Sequence, residues 1–175
     1  NPKSAGSYLE ALWKYNPDYL IVYPSALFVL AKFMLQQGLQ PPPLKAIISN
    51  SEVLTETYRK TIQQAFNCPV RDTYGMAEML SAASECAEGN MHFWPETGFM
   101  EVFNPVDGTV SQTQPSGMYC LTGLFNEDMP LIRYVNGDIG ELPHWSQPGA
   151  CGRTLPIMGK VQGRSNDLLL TNDRR

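Results

Sequence analysis

The sequence is poor in the features that mark several common classes of protein. Charged residues make up 17% of the 175 positions, and the formal net charge is -4. A nucleic-acid-binding surface needs clustered basic residues, so this balance argues against nucleic acid as a partner. No apolar run reaches the roughly 18 residues that a transmembrane helix requires, and we therefore expect no membrane span.

Cysteine is also scarce, with four residues that form no Cys-x-x-Cys pair. So few cysteines in a chain of this size do not indicate a disulfide framework, and we predict reduced thiols and a cytoplasmic location. Cys68 and Cys120 lie in or beside apolar runs and are predicted to be core residues. The low charge indicates that a partner covers part of the surface, for which a homodimer is one candidate.

The first part of the chain alternates apolar runs with helical patterns. Helices are predicted over residues 4–15, 25–37 and 55–66, where apolar residues recur at helical spacing. Ser25 is a candidate N-cap, and Thr55 is predicted to begin the third helix. Strands are predicted over residues 19–23, 44–49 and 69–74, the first of them buried on both faces as in a parallel sheet. The alternation predicts a parallel α/β layer over residues 1–88.

After residue 88 the pattern changes to short strand candidates separated by turn signals. The candidates are residues 91–94, 99–103, 117–121, 131–134, 139–142 and 157–162. Asn136-Gly137 is predicted to be a hairpin turn, and Gln147-Pro-Gly another turn. We predict a small antiparallel β subdomain over residues 89–165.

The stretch Asp72-Thr-Tyr-Gly-Met-Ala-Glu78 joins the two parts of the chain. Carboxylates flank its tyrosine and glycine, as expected of a strand end that turns into a loop facing a ligand. Glu52 follows the preceding strand, so adjacent strands would bring it to the same crevice. The alternative is that Glu52 supports the N-terminus of the next helix, where negative charge is favourable.

Taken together and in order, several stretches resemble the motifs of the adenylate-forming superfamily of acyl- and aryl-CoA ligases. Tyr74-Gly-Met-Ala-Glu78 resembles its Tyr-Gly-x-Thr/Ala-Glu motif, and Arg133-Tyr-Val-Asn-Gly-Asp138 its Arg-Tyr-x-x-Gly-Asp motif. Gly163-Arg-Ser-Asn-Asp167 resembles its hinge motif, and Ser51-Glu-Val-Leu54 its Gly/Ala-Glu-x-Leu stretch. The surroundings of Cys86, His92 and Cys151 are most similar to the phenylacetate-CoA ligase branch, which includes capsule-biosynthesis proteins.

The resemblance implies a two-step reaction and a role for each matched residue. A small-molecule carboxylic acid reacts with ATP to give an acyl-adenylate, and coenzyme A then displaces AMP. In this scheme Asp72 accepts a hydrogen bond from the adenine amino group, while Tyr74 and Gly75 lie against the adenine or the α-phosphate. Glu52 lines the adenine and acyl pocket.

The remaining implied roles concern the sugar, the phosphates and the metal. Asp138 would bind the ribose hydroxyls, because an ionised acceptor makes strong directional hydrogen bonds. Arg164 would contact the ribose or a phosphate. Glu78 is the implied catalytic residue and would hold Mg²⁺, which prefers carboxylate oxygen.

Departures from the family pattern limit these expectations. The resemblance implies a partial nucleotide-binding subdomain over residues 1–88 and a hinge stub over residues 166–175 that leads to an absent C-terminal domain. We expect the Gly/Ser/Thr-rich phosphate loop to lie before Asn1 and the catalytic lysine to lie after Arg175, and Asn166 stands at a usual aspartate position. We therefore interpret the chain as the central portion of a ligase and expect that it does not form acyl-CoA in isolation. The alternatives are a non-catalytic nucleotide-binding module and a self-associating structural module from a truncated gene.

Cys86, His92 and Cys151 are candidate zinc ligands. Members of the branch often carry Cys-x-Cys-Gly-Arg at the last of these positions, and here Gly149 replaces the first cysteine. Three candidates remain, whereas a structural zinc site takes four ligands. The alternative is buried or free thiols and a surface histidine.

Overall fold

The computed structural model describes residues 4–144 and 150–165, and the chain divides into two compact units, Asn1–Thr73 and Tyr74–Arg175. This division precedes the change of sequence pattern near residue 88. The domain limits inferred from that change stay predictions, and the hinge stub and the turn at Gln147 lie outside the described residues. None of the helices in the described ranges has the length and apolar character that crossing a bilayer requires.

The first unit is a parallel α/β layer, as predicted. Its elements are α1 (Ala5–Tyr15), β1 (Tyr19–Val22), α2 (Pro24–Gln37), β2 (Ala46–Ser49), α3 (Glu56–Phe66) and β3 (Val70–Gly75), whose last two residues belong to the second unit. Strand β2 lies between β1 and β3 and pairs with both in parallel. The carboxyl ends of the three strands therefore lie at one edge of the sheet.

Local backbone preferences set the ends of the helices. Tyr23, not Ser25, is the first cap of α2, since the proline at position 24 favours an extended preceding residue and tolerates the first helical position. Gly38 ends α2 with a φ of 63°, a conformation that suits glycine. Thr55, predicted to begin α3, is its N-cap, because its hydroxyl oxygen accepts a hydrogen bond from the Tyr58 amide at 3.2 Å.

The core of the first unit lies on one face of its sheet. Leu27, Met34 and Ile62 from the helices pack with Ile47 and Val70 from the strands. The predicted burial of β1 on both faces is wrong. Leu20 and Val22 pack against the core, but Tyr19 and Ile21 on the opposite face remain 54% and 71% exposed.

The second unit is built from antiparallel strands, which confirms the predicted change of architecture. Strands β4 (Ala82–Glu85) and β5 (Met91–Phe93) form a hairpin. A five-stranded sheet has the order β10-β9-β8-β6-β7, with β6 (Gly98–Phe103), β7 (Val110–Ser111), β8 (Ser116–Gly123), β9 (Tyr134–Glu141) and β10 (Val161–Arg164). The sequence did not predict β4 or β7, and residues 131–133, predicted as strand, precede β9.

The Asn136-Gly137 pair forms a bulge inside β9, so the predicted hairpin turn is wrong. Met118 pairs with Ile139 and Cys120 pairs with Val135, which leaves residues 136–138 opposite the single residue Tyr119. Gly137 adopts a φ of 85° at this point. Bulges of this kind bend a strand and redirect its side chains, and this one changes the direction of Asp138 and Asn136.

The close approach of two chain segments at Gly98 gives a test of the second unit. A Cβ atom at this position would overlap the backbone carbonyl oxygens of Leu80 and Thr122, which cannot move aside as a side chain could. We expect Gly98→Ala to lower the free energy of unfolding by at least about 2 kcal/mol, as measured by urea denaturation.

The matched control is Gly6→Ala in α1, where a Cβ would meet nothing within 4 Å. This change should be neutral or should stabilise the chain by at most about 1 kcal/mol, because alanine has the higher helix propensity. Equal effects of the two substitutions would contradict the packing at Gly98.

Candidate functional site

In the first unit, Asp72 lies within β3, level with the carboxyl end of β2. Asp72 pairs in register with Ser49, the last residue of β2. Its carboxylate accepts a hydrogen bond from the Thr73 amide at 3.0 Å. A pocket of about 170 Å³ opens beside this end of β2, lined by Ile21, Val22, Tyr23, Asn50 and Ser51. Small-molecule sites usually enclose about 300–1,000 Å³, so this pocket alone is smaller than a nucleotide site.

Glu52 contacts the N-terminus of α2. Its two carboxylate oxygens accept hydrogen bonds from the Ser25 amide at 3.0 Å and the Ser25 hydroxyl at 2.9 Å. The first cap of α2 makes no side-chain hydrogen bond, so Glu52 supplies the missing acceptor from a distant loop. The sequence analysis offered the alternative that Glu52 supports the N-terminus of the next helix, α3. Glu52 instead supports the N-terminus of the preceding helix, α2.

Ser51 explains how Glu52 reaches that helix. Ser51 adopts a φ of 68°, which is uncommon for a residue with a side chain. The chain thus reverses direction directly after β2, and Glu52 turns back towards Ser25. Glycine would adopt this conformation without strain.

In the second unit, the β9 bulge brings Asp138 to Tyr74. The Tyr74 hydroxyl donates to Asp138 Oδ2 at 2.8 Å, and Asn136 Nδ2 donates to the same oxygen at 2.7 Å. Asn136 Nδ2 also lies 3.1 Å from the Tyr74 hydroxyl oxygen, and Asn136 Oδ1 accepts from the Asp138 amide at 3.0 Å. Two predicted site residues thus meet directly, and Asn136, which the sequence analysis assigned to a turn, contacts both of them.

Arg164 completes this cluster from β10. Its Nε lies 3.2 Å from Asp138 Oδ1, in an ion pair whose arginine is 67% exposed and whose aspartate side chain is 12% exposed. A carboxylate offers about four lone-pair sites, and Tyr74, Asn136 and Arg164 occupy three of them. Asp138 can therefore accept one further hydrogen bond at Oδ1 without losing a partner.

The arginine of the same motif has a different partner. Arg133 makes a two-pronged contact, its Nε and one terminal nitrogen each 3.1 Å from an oxygen of Glu101. Glu101 is 7% exposed on β6, and Arg133 itself has a φ of 51°. This ion pair ties the segment before β9 to the sheet and compensates the buried glutamate charge. The sequence analysis did not identify Glu101, because its partner is distant in the chain.

Two further predicted residues lie near the beginning of the second unit. Gly75 is exposed, and a Cβ there would make an ordinary 3.8 Å contact with the Ser81 carbonyl oxygen, so packing does not require glycine. Glu78 is half-buried. Within residues 4–144 and 150–165, the Glu78 carboxylate has no hydrogen-bond or ion-pair partner. An unoccupied carboxylate of this kind suits a hard cation.

Burial and charge keep the Tyr74 phenol protonated. Burial raises the pKa of Tyr74 above its usual value of 10, and the negative charge and hydrogen bond of Asp138 raise it further. The ring of Tyr119 packs edge-on against that of Tyr74, with 6.0 Å between the ring centroids. Burial also raises the pKa of Tyr119. Tyr74 is therefore a hydrogen-bond donor to Asp138 and not a general base at neutral pH.

Cys86, His92 and Cys151 converge elsewhere in the second unit. Their ligand atoms all lie within 4.8 Å of one another. Burial alone would raise the pKa of the Cys86 thiol, but backbone hydrogen bonds from Asn90 and Glu88, with contributions from Cys151 and Arg153, lower it. His92 is 1% exposed, so the alternative of a surface histidine is wrong. Cys68 and Cys120 are buried, as predicted.

The contact between Glu52 and α2 can be tested by stability measurements. We expect Glu52→Ala to lower the free energy of unfolding by about 1 kcal/mol, because the N-terminus of α2 loses its acceptor. A double-mutant cycle with Ser25→Ala should give a coupling of about 0.5–1.5 kcal/mol in chemical denaturation. A stability unchanged by Glu52→Ala would mean that the capping contact contributes nothing to folding.

The raised pKa of Tyr74 predicts a specific alkaline destabilisation. The folded chain holds the phenolic proton while the unfolded chain releases it above about pH 10, so stability is complete below that pH and falls above it. The fall attributable to Tyr74 should reach up to about 1.4 kcal/mol per pH unit and should be absent in Tyr74→Phe. Urea denaturation across this pH range measures the slope.

The control for this measurement is Tyr15→Phe, because the Tyr15 ring is 77% exposed. Its slope should equal that of the unaltered chain. A Tyr74→Phe slope that also equals the unaltered one would show that Tyr74 ionises equally in the folded and unfolded chains.

Comparison with known proteins extends the resemblance beyond the motifs. No family model matches the chain. The chain is 30% identical over 168 residues to phenylacetate-coenzyme A ligase of Pseudomonas putida, covering 93% of the chain and 37% of that protein. It is also 30% identical over 169 residues to the protein CapK of Staphylococcus aureus, covering 95% of the chain and 36% of that protein. The chain thus spans little more than a third of these curated relatives.

Solved structures agree on the fold. A 2-hydroxyisobutyryl-CoA ligase in its postadenylation state, in complex with 2-HIB-AMP, matches 98% of the chain with a TM-score of 0.79 at 24% identity, over 38% of its own length. The anthranilate CoA ligase AuaEII with anthranoyl-AMP matches 98% of the chain with a TM-score of 0.61 at 15% identity, over 34% of its own length. Together with the two curated relatives, these structures support an adenylate-forming superfamily fragment that is similar to phenylacetate-coenzyme A ligase and CapK.

Proposed function

We propose that this chain is the nucleotide-contacting part of an ATP-dependent carboxylate–CoA ligase. In that reaction a carboxylate attacks the α-phosphate of ATP and releases pyrophosphate, and the coenzyme A thiol then displaces AMP from the acyl-adenylate. The single observation that carries the proposal is the hydrogen-bonded cluster of Tyr74, Asn136, Asp138 and Arg164. It joins residues of three motifs that lie far apart in the sequence.

The chemistry of Asp138 suits the ribose of the nucleotide. Its carboxylate is held by two neutral donors and one cation, so its position is set before a ligand arrives. The remaining acceptor site can receive a ribose hydroxyl, in a charge-assisted hydrogen bond. Arg164 is exposed enough to reach a ribose or phosphate oxygen while its Nε still faces Asp138.

The other assigned roles follow from the motifs that resemble those of the adenylate-forming superfamily. Asp72 would accept a hydrogen bond from the adenine amino group, and the ring of Tyr74 would lie against the base or the α-phosphate. Packing within the chain does not require glycine at position 75. Its lack of a side chain would instead leave room for a nucleotide to lie against the backbone. Glu52, committed to α2 through both oxygens, would contribute to the pocket wall through its position rather than as a free acceptor.

Glu78 is the proposed ligand of Mg²⁺. Its carboxylate has no partner among residues 4–144 and 150–165, and it could bind Mg²⁺ with one oxygen. When bound, Mg²⁺ would neutralise charge on the phosphates of ATP. Glu78 itself would fix the position of that charge relative to the nucleotide.

The proposed partners are a small carboxylic acid, coenzyme A and a second protein surface. The related 2-hydroxyisobutyryl-CoA ligase has been solved with both 2-HIB-AMP and CoA. Tyr19, Ile21 and Tyr23 leave an apolar surface that a homodimer contact would cover. The reduced cysteines and acidic charge favour a cytoplasmic protein that does not bind nucleic acid.

Nucleotide binding tests the proposal at Asp138. We expect AMP to bind the unaltered chain and Asp138→Asn to weaken it by at least about tenfold, because a charge-assisted hydrogen bond to ribose is lost. Gly75→Ala should also weaken binding, since its methyl group would intrude on the nucleotide, while thermal stability stays unchanged. Isothermal titration calorimetry measures both affinities.

Glu10→Gln is the charge-matched control, because it removes one carboxylate from an exposed position of α1. It should leave the AMP affinity unchanged. Absence of heat at millimolar AMP would overturn the nucleotide assignment and favour a structural module. An Asp138→Asn affinity equal to the unaltered one would remove Asp138 from the site.

A further inference from the structure

A second group of reactive side chains lies outside the nucleotide cluster. Cys86 directly follows β4, His92 lies within β5, and Cys151 belongs to the segment that precedes β10. Cys86 is 2% exposed and His92 is 1% exposed, while Cys151 is half-buried. The Sγ atoms of the two cysteines and a ring nitrogen of the histidine lie within 4.8 Å of one another. Three side-chain atoms that can each bind a metal ion therefore converge from separate segments.

Hydrogen bonding sets the orientation and the tautomer of His92. Its Nδ1 lies 3.2 Å from the Leu155 carbonyl oxygen, which can only accept, so Nδ1 carries the proton. The unprotonated Nε2 then directs its lone pair towards Cys151 Sγ at 3.4 Å. Metal-binding histidines usually donate their second ring nitrogen to a carbonyl or carboxylate in this way.

The spacing of these atoms is close to that of a tetrahedral zinc site. Zinc–sulfur and zinc–nitrogen bonds of about 2.3 and 2.0–2.1 Å place a sulfur and a nitrogen ligand about 3.6 Å apart in a tetrahedron. The His92–Cys151 distance of 3.4 Å nearly matches that edge. The 4.8 Å limit for the whole group requires the third atom to move inwards by at most about 1 Å, since two sulfur ligands lie about 3.8 Å apart.

The backbone holds these segments in place independently of a metal. His92 and Ile157 form an isolated bridge, the Phe93 amide donates to the Pro156 carbonyl at 2.9 Å, and the Met158 amide donates to the Met91 carbonyl at 2.7 Å. On the other side, the Cys86 amide donates to the Asn90 carbonyl at 2.9 Å within the hairpin turn. The three ligand positions are thus largely preorganised by strand pairing.

We propose that Cys86, His92 and Cys151 bind one Zn²⁺ ion that joins the β4–β5 hairpin to the segment containing residues 151–158. Two thiolates and a neutral imidazole are the ligands that zinc prefers, whereas magnesium and calcium prefer oxygen. The thiols release two protons when the metal binds, which leaves the zinc and its two thiolates without net charge. This site is independent of the nucleotide cluster.

The number of ligands indicates how the ion is held. Among residues 4–144 and 150–165, three side chains converge, one fewer than a tetrahedral ion takes. We assign the fourth position to an exchangeable water. Zinc should therefore be removable by a chelator, and its loss should lower the stability of the second unit rather than prevent its folding.

Metal analysis and cobalt substitution test the site. The purified chain, reduced, stripped with chelator and then given ZnCl₂, should retain one equivalent of zinc after gel filtration. With CoCl₂ instead, it should show the intense visible bands of tetrahedral cobalt together with thiolate-to-cobalt charge-transfer absorption. Cys151→Ser should lose both properties and should no longer gain melting temperature from added zinc.

Cys68→Ser is the matched control, because Cys68 is a buried cysteine outside the cluster. It should bind zinc and cobalt like the unaltered chain, and circular dichroism should show that every variant is folded. A folded, reduced chain with zinc stoichiometry near zero would overturn the proposal. Full zinc retention by folded Cys151→Ser, or a cobalt spectrum without thiolate bands, would also overturn it.

Discussion

The second unit depends on the compensation of one buried carboxylate, that of Asp138. An ionised carboxylate removed from water costs several kcal/mol unless donors surround it. Tyr74, Asn136 and Arg164 provide those donors from three different strands, so satisfying the charge also holds these strands in register. The bulge in β9 makes this possible, since it brings Asn136 and Asp138 together opposite a single residue of β8. The same arrangement leaves one acceptor site available for a ligand.

Polar residues at strand ends serve the fold as well as the proposed chemistry. Glu52 illustrates this, because its carboxylate caps α2 although the motif around it suggests a ligand pocket. Arg133 likewise neutralises the buried Glu101 and fixes the segment before β9. A substitution at either residue would therefore change stability as well as any nucleotide contact. Activity measurements on such variants require a matched measurement of folding.

The sequence predictions were accurate where the structure depends on neighbouring residues and less accurate where it depends on contacts between distant parts of the chain. In the first unit, helical periodicity, Thr55 and Gly38 are local signals, so the elements were predicted closely. Pro24 overrode Ser25 as the start of α2, and an uncovered sheet face exposed Ile21 despite its apolar surroundings. In the second unit the Asn-Gly pair was misread, because a hairpin turn and a bulge share the same local conformational preference.

The sequence by itself determined the α/β-to-antiparallel order of the chain and the family whose motifs it carries, since both depend on residue order and spacing. Tyr74, Asp138 and Arg164 could be named in this way. Only the tertiary structure decided that Asn136 contacts both Tyr74 and Asp138, that Glu52 contacts α2, and that His92 is buried beside Cys151. The first and third of these contacts depend on a bulge and on strand pairing, and the second joins a loop to a helix 27 residues earlier, so no local pattern specifies them.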